Sequence, residues 1–246
     1  MWQPKWTWLA VLATALLLSL AANGVIYRQA RQYYIQLNGI RLDPLGLSYF
    51  VGDTVEVDEA RVTAVFLGDS RAEYWPAPDN LPPFQFINRG ISSQTSVQVQ
   101  MRFKEHIRPL APDILILQVG INDLTRIPVF PDLQDEIMAN CKANIRWLVE
   151  QSTAMGTTVV LTTVFPTGAV PLARRPFWSS EIETAVLDVN QYIRSLAGDR
   201  VIVLDAFAIL ADEDGRLRHD YANDELHLNE AGYRALNREL RQVLQE

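Results

Sequence analysis

The sequence predicts an α/β fold of three layers, a five-stranded parallel sheet with helices on both faces. Three observations carry this. Val62 to Gly68, Asp113 to Val119 and Thr157 to Val164 are almost unbroken apolar runs rich in β-branched residues, which suits strands covered on both faces. Between and after them, Val99, Phe103 and Ile107, then Ile137, Cys141, Ile145 and Leu148, then Ile182, Val186, Val189 and Ile193 recur at helical spacing. Strands that alternate with amphipathic helices build a layered α/β sandwich.

A hydrophobic helix precedes this domain. Trp8 to Ile26 holds no charged residue and only Thr14, Ser19 and Asn23 as polar interruptions, enough to span a hydrocarbon layer of roughly 30 Å. Trp2, Trp6 and Trp8 before it and Tyr27 after it fit interfacial positions, with Lys5, Arg28 and Arg31 flanking. Two readings stand: an uncleaved single-pass anchor, or a cleaved signal whose apolar core is Leu9 to Leu20 and whose small residues are Ser19-Leu20-Ala21. Arg28 to Glu59 then reads as a polar tether, helical through Leu37, broken at Pro44, Gly46 and Gly52, with a short alternating segment near Thr54 to Val57. The expected organisation is residues 1–27 as anchor or signal, 28–58 as stalk and 59–246 as the catalytic domain.

In the domain, Phe84 to Asn88 is a short strand ending in Arg89-Gly90, and Pro109 closes the helix that follows. Pro131 to Ala154 supplies a long helix, Val201 to Leu204 the fifth strand, and Tyr233, Leu236, Leu240 and Val243 the stripe of a closing helix. Composition narrows the function. A net charge of −7, a pI near 5.1 and the lack of a basic stripe argue against a nucleic-acid partner. The single cysteine, Cys141, excludes an internal disulfide and a Cys-rich metal site; it sits on a core-facing helical stripe. No metal-ligand cluster and no phosphate-cradling glycine loop is present, so no cofactor is implied.

Candidate chemistry sits at strand ends. Gly68-Asp69-Ser70-Arg71 follows the first strand, where open α/β sheets collect ligands; the same letters also describe a strand end with an Asx turn. Asp224 and His227 are three residues apart before the last helix, a spacing that lets a carboxylate hold one imidazole nitrogen and leave the other to accept a proton. The other two histidines, His106 and His219, fall in a helix and a polar loop.

Together, Gly68-Asp69-Ser70, Gly90, Gly120-Ile121-Asn122-Asp123 and Asp224-Glu225-Leu226-His227 resemble the SGNH, or GDSL-type, hydrolase superfamily in kind and in order. The resemblance covers Arg61 to Glu246. It implies a flavodoxin-like strand order with Ser70 and Asn122 flanking one crevice, Ser70 as nucleophile, His227 as general base and Asp224 as its orienting acid. It further implies an oxyanion hole from the backbone N–H groups of Ser70 and Gly90 and the Asn122 side chain. Two positions depart from the pattern: Arg71 stands where the family name implies Leu, and Glu225 where the residue is often Gly. Arg71, Asp123, Arg174, Arg175 and Trp178 are candidate substrate contacts, the last three in a loop at the same sheet edge. The expected activity is ester hydrolysis through an acyl-enzyme at the cell envelope, on a small-molecule, lipid or glycan ester. Its rivals are acyl transfer or deacetylation on envelope polysaccharide, and a non-catalytic module on the same fold.

Overall fold

The computed structural model describes residues 5–53 and 55–245. The chain divides into two compact units with the break after Gly46. In the first, a single helix α1 runs from Lys5 to Leu42, 38 residues, or about 57 Å at 1.5 Å per residue. It is long and apolar enough to cross a membrane. It also continues past Leu37, because nothing from Arg28 to Leu42 lacks a backbone donor; Pro44 ends it by pushing Asp43 out of helical geometry. Within the apolar part, Thr14 Oγ1 donates to the Ala10 carbonyl and Asn23 Nδ2 to that of Ser19, so two polar side chains are turned back onto the backbone. Trp2 lies outside the described residues.

The second unit is built on five parallel strands, β1 (Val62–Gly68), β2 (Phe84–Gly90), β3 (Ile114–Gln118), β4 (Thr158–Thr162) and β5 (Val201–Leu204), in the order β2-β1-β3-β4-β5. The order turns at β1, so a crevice opens between the carboxyl ends of β1 and β3. Register brings Gly68 level with Gly90 on one side and Gln118 on the other, so the three loops that follow start from one line.

Period-two alternation sorts the strand residues onto two cores. Val65, Leu67, Leu115, Leu117, Val159 and Leu161 meet helices α3 (Ser96–His106), α5 (Gln134–Ala154) and α6 (Glu181–Arg194). On the other face, Ala64, Phe66, Ile116 and Val160 meet α8 (Glu230–Gln245) and the short α7 (Ala206–Leu210). Cys141 is fully buried in the first core, and burial pushes its thiol well above its ordinary pKa. The remaining helices, α2 (Ser70–Glu73) and α4 (Ile121–Leu124), are single turns directly at the ends of β1 and β3, too short to show a period in sequence.

Two expectations shift. The long helix begins at Gln134 rather than Pro131, whose three-residue 3-10 turn precedes it. The alternating segment near Thr54 to Val57 makes no strand where it is described; Thr54 lies outside the described residues, and Val55 packs on the core instead.

β1 and β3 approach so closely at their ends that a Cβ on Gly68 would lie 1.7 Å from the Gln118 carbonyl oxygen. Gly68→Ala is therefore expected to lower the urea midpoint of unfolding by the equivalent of about 3 kcal/mol or more. An unchanged midpoint would mean that the two strands separate freely.

Candidate active site

The position of Ser70 begins with a cap. Asp69 is fully buried, its Oδ1 accepts the Arg71 N–H at 2.9 Å, and α2 starts on the next residue, so the chain turns from strand to helix at Ser70. The Ser70 N–H then points out of the first helical turn with no partner among the described residues. Burial drives the Asp69 pKa up to about 6, against the opposing charge and N–H of Arg71.

His227 arrives from 157 residues away. Ser70 Oγ lies 2.9 Å from His227 Nε2, and His227 Nδ1 lies 2.8 Å from Asp224 Oδ2. Asp224 Oδ1 also accepts the N–H groups of Leu226 and His227, both at 2.8 Å, so one carboxylate folds the turn and orients the ring. Partial burial raises the Asp224 pKa, but the His227 hydrogen bond and the two N–H donors outweigh it and hold the carboxyl below its ordinary value. In this arrangement Nδ1 carries the proton and Nε2 accepts from the serine. The Tyr74 ring stands edge-on to His227 at 5.8 Å, beside a cleft of about 560 Å³ that Asp224, His227 and Asn229 line.

The loop after β2 is tied to the same strand ends. Ile91 N–H donates to the Gly68 carbonyl, Ser92 N–H to Glu73 Oε2, and Asn122 Nδ2 to the Gln94 carbonyl at 3.0 Å. Buried Arg102 joins the same parts from below, with one guanidinium nitrogen on the Gly68 carbonyl at 3.0 Å and another on Gln94 Oε1. Burial lowers its pKa to about 9. Between these ties Ser93 is held at φ 66, a left-handed conformation rare outside glycine, and its N–H has no partner among the described residues.

Gly90 is placed differently from the sequence expectation. Its N–H donates to Asn88 Oδ1 at 2.8 Å, and a Cβ there would come within 2.2 Å of the Glu73 nitrogen. Gly90 is a close-approach glycine under α2, and its donor is already used. Arg71 also changes role. Its guanidinium is fully buried, reaching the Leu226 carbonyl at 2.8 Å and the Phe165 carbonyl at 3.1 Å over the Phe165 ring, out of a substrate's reach. Asp123 spends both oxygens on Ser96, at 2.8 Å to its N–H and 2.6 Å to its hydroxyl, at the start of α3. With Thr95, Val97, Arg126 and Ile137 it lines a second cavity of about 400 Å³ next to Asn122.

The loop after β4 docks by three of its own residues. Gly168 N–H donates to the Glu225 carbonyl, Arg174 pairs with the Glu225 carboxylate at 2.6 Å, and Trp178 Nε1 donates to Glu183. Arg175 is exposed on a 3-10 turn. Among the described residues no His, Cys, Asp or Glu cluster fits a metal ion.

The model of the GDSL-like lipase/acylhydrolase family matches residues 51–235. The chain belongs to this family. Solved structures agree on the fold: a GDSL-like lipase from Bacteroides thetaiotaomicron is similar at TM-score 0.65 and 22% identity, over 82% of this chain and 98% of that one. A catalytic mutant of an acetylxylan esterase from Geobacillus stearothermophilus is similar at TM-score 0.56 and 19% identity, over 76% of this chain and 95% of that one. No curated protein is similar to the chain at a significant level.

Because the Asp69 pKa is raised by burial, the folded state favours its neutral form. The stability this contributes is complete below the ordinary value of 3.8 and is lost as pH rises through about 6. Asn keeps the cap and cannot ionise, so wild type is expected to lose about 2–3 kcal/mol relative to Asp69→Asn between pH 4 and pH 7, by urea unfolding. A constant difference across that range would show that Asp69 does not titrate there.

Proposed function

We propose that this GDSL-family enzyme hydrolyses carboxylic esters by a serine mechanism, with Ser70, His227 and Asp224 as its triad. The observation that carries the reading is the unbroken chain from Ser70 Oγ to His227 Nε2 at 2.9 Å and from Nδ1 to Asp224 at 2.8 Å. Ser70 Oγ attacks the ester carbonyl carbon while its proton passes to His227 Nε2. Collapse of the tetrahedral adduct returns that proton to the departing alcohol, and water then repeats the sequence in reverse to free the acid.

The negative charge on the carbonyl oxygen needs donors that are fixed in advance. Three are available on this reading: the N–H of Ser70, the N–H of Ser93 and the Asn122 amide. Ser93 takes the backbone role expected of Gly90, since its N–H has no partner among the described residues and its loop is tied to both Gly68 and Asn122.

Substrate choice follows from the walls. The cavities beside His227 and Asn122 mix polar and apolar side chains, Asn223, Asn229 and Tyr74 on one side, Thr95, Val97, Arg126 and Ile137 on the other. A short acyl group on a polar alcohol fits such surroundings better than a long alkyl chain. The acetylxylan esterase among the structural neighbours is in keeping with an acetylated glycan as substrate. The apolar N-terminal helix is assigned as an uncleaved anchor that holds the domain outside the cytoplasm, because its apolar stretch is long enough to span and aromatic residues lie at its edges.

Ser70→Ala is expected to abolish labelling by a fluorophosphonate and turnover of p-nitrophenyl acetate while the protein stays folded; retained turnover would remove the serine mechanism. Asn122→Ala is expected to lower kcat by about 10² to 10³ with little change in KM, whereas a loss confined to KM would make Asn122 a binding residue. Across p-nitrophenyl esters, kcat/KM is expected to peak at acetate to butyrate. A maximum at dodecanoate would overturn the short-acyl assignment.

A further inference from the structure

We propose that α1 is a dimerisation helix, along which two copies of this chain pair in parallel through one seam running from the apolar span into the stalk. For its span portion this rests on the anchor reading above.

Beyond Ile26 charges return to the helix, yet large apolar side chains stay exposed: Tyr33 at 70%, Leu37 at 48% and Ile40 at 55%. With Ala30 they recur at alternating steps of three and four, the a and d positions of a heptad. Arg28, Arg31 and Arg41 all fall off this stripe. The opposite stripe, Arg28, Ile35 and Leu42, includes a charge. An apolar stripe on a helix in water needs a partner surface, and a repeat of 3.5 residues is specific for another helix wound around it.

Carried back into the span, the same register passes through Ile26, Asn23, Ser19 and Leu16. Two of the three polar residues of the span thus lie on the seam. Asn23 Nδ2 donates to the Ser19 carbonyl at 2.8 Å and sits 3.4 Å from the Ser19 hydroxyl, while the Asn23 side-chain oxygen has no donor within the described residues. In hydrocarbon such an acceptor is satisfied by a neighbouring helix. The stalk and the span, surrounded by different solvents, therefore ask for a partner on the same face.

That partner is a second copy. Membrane insertion gives every copy one orientation, so a pair is parallel, and in a parallel pair each a position faces its own counterpart. The amide group of Asn23 then meets its equivalent and supplies the missing donor. Flanking positions bring Gln29 beside Tyr34 and Gln36 beside Arg41, with no like charges opposed.

The test uses the full-length chain in membranes. Tyr33→Cys, Leu37→Cys and Ile40→Cys probe the seam; Arg31→Cys, Ile35→Cys and Asn38→Cys probe the rest of the helix. The native Cys141 is buried, so the unchanged chain serves as the blank. On copper-phenanthroline oxidation the seam variants are expected to give several-fold more disulfide dimer than the others, at twice the 27.9 kDa chain mass. Even cross-linking around the helix, a maximum at Ile35→Cys, or a cross-linked band of another mass would each overturn the proposal. Adding Asn23→Leu to Leu37→Cys is expected to lower dimer yield several-fold; an unchanged yield would overturn the shared register. All the cysteine positions lie beyond Ala22, where a signal would be cut. A carbonate wash that releases a shortened chain would reject the anchor while leaving the stalk pattern readable.

Discussion

The candidate site is organised around a buried cation. Arg71 follows Ser70 in sequence, and its guanidinium is fixed by the Leu226 carbonyl, one residue before His227, and by the Phe165 and Pro166 carbonyls after β4. A charge with no exposed surface must have every donor engaged or it would destabilise the fold. Burial lowers its pKa to about 10, and nearby Asp69 opposes that shift, so it stays charged at neutral pH. Its demand for acceptors is what joins three segments remote in sequence. The Tyr233 hydroxyl closes the knot from α8 by donating to the Arg71 carbonyl. Were the guanidinium displaced, the turn that carries His227 would be joined to the segment that carries Ser70 by the Ser70–His227 hydrogen bond and no longer by Arg71.

A second clasp acts on the same turn from outside. Glu225 is only 5% exposed, between Asp224 and His227, and its carboxylate meets Arg174 of the loop after β4. The Arg174 side chain is more than half exposed, so solvent screening keeps the pair's net contribution modest. Its geometric consequence is larger. A nearly buried carboxylate cannot leave its partner without finding another, so the loop bearing Leu172 and Phe177 stays where the Gly168 and Arg174 contacts hold it. Loop position and catalytic turn are thereby set together.

The strands and long helices were legible because burial on two faces leaves continuous apolar runs and burial on one leaves a helical period; Val201–Leu204 appears in the sequence with the bounds it has in the fold. The Ser70 and His227 turns were legible through motif order. What sequence hid were contacts that no local pattern encodes. Arg71 reads in sequence as a candidate substrate contact beside Ser70, and only the fold brings Leu226 and Phe165 to it. Gly90 looks like the loop donor because it is the glycine there, whereas the left-handed position three residues later is occupied by a serine. The continuation of α1 to Leu42 was hidden by the polar composition of the stalk, which says little about helicity when neither proline nor a run of turn residues interrupts it.

Ser93 shows how such a site tolerates strain. A non-glycine residue at φ 66 costs on the order of 1 kcal/mol or more. Relaxation is blocked on both flanks. Ser92 is held by Glu73, which also accepts from the Tyr49 hydroxyl, and Gln94 is held through its carbonyl by Asn122 and through its side chain by Arg102. Arg102 in turn bonds the Gly68 carbonyl, at the end of the strand that delivers Ser70. The Ser93 loop and the strand that ends at Ser70 are therefore braced by the same buried guanidinium.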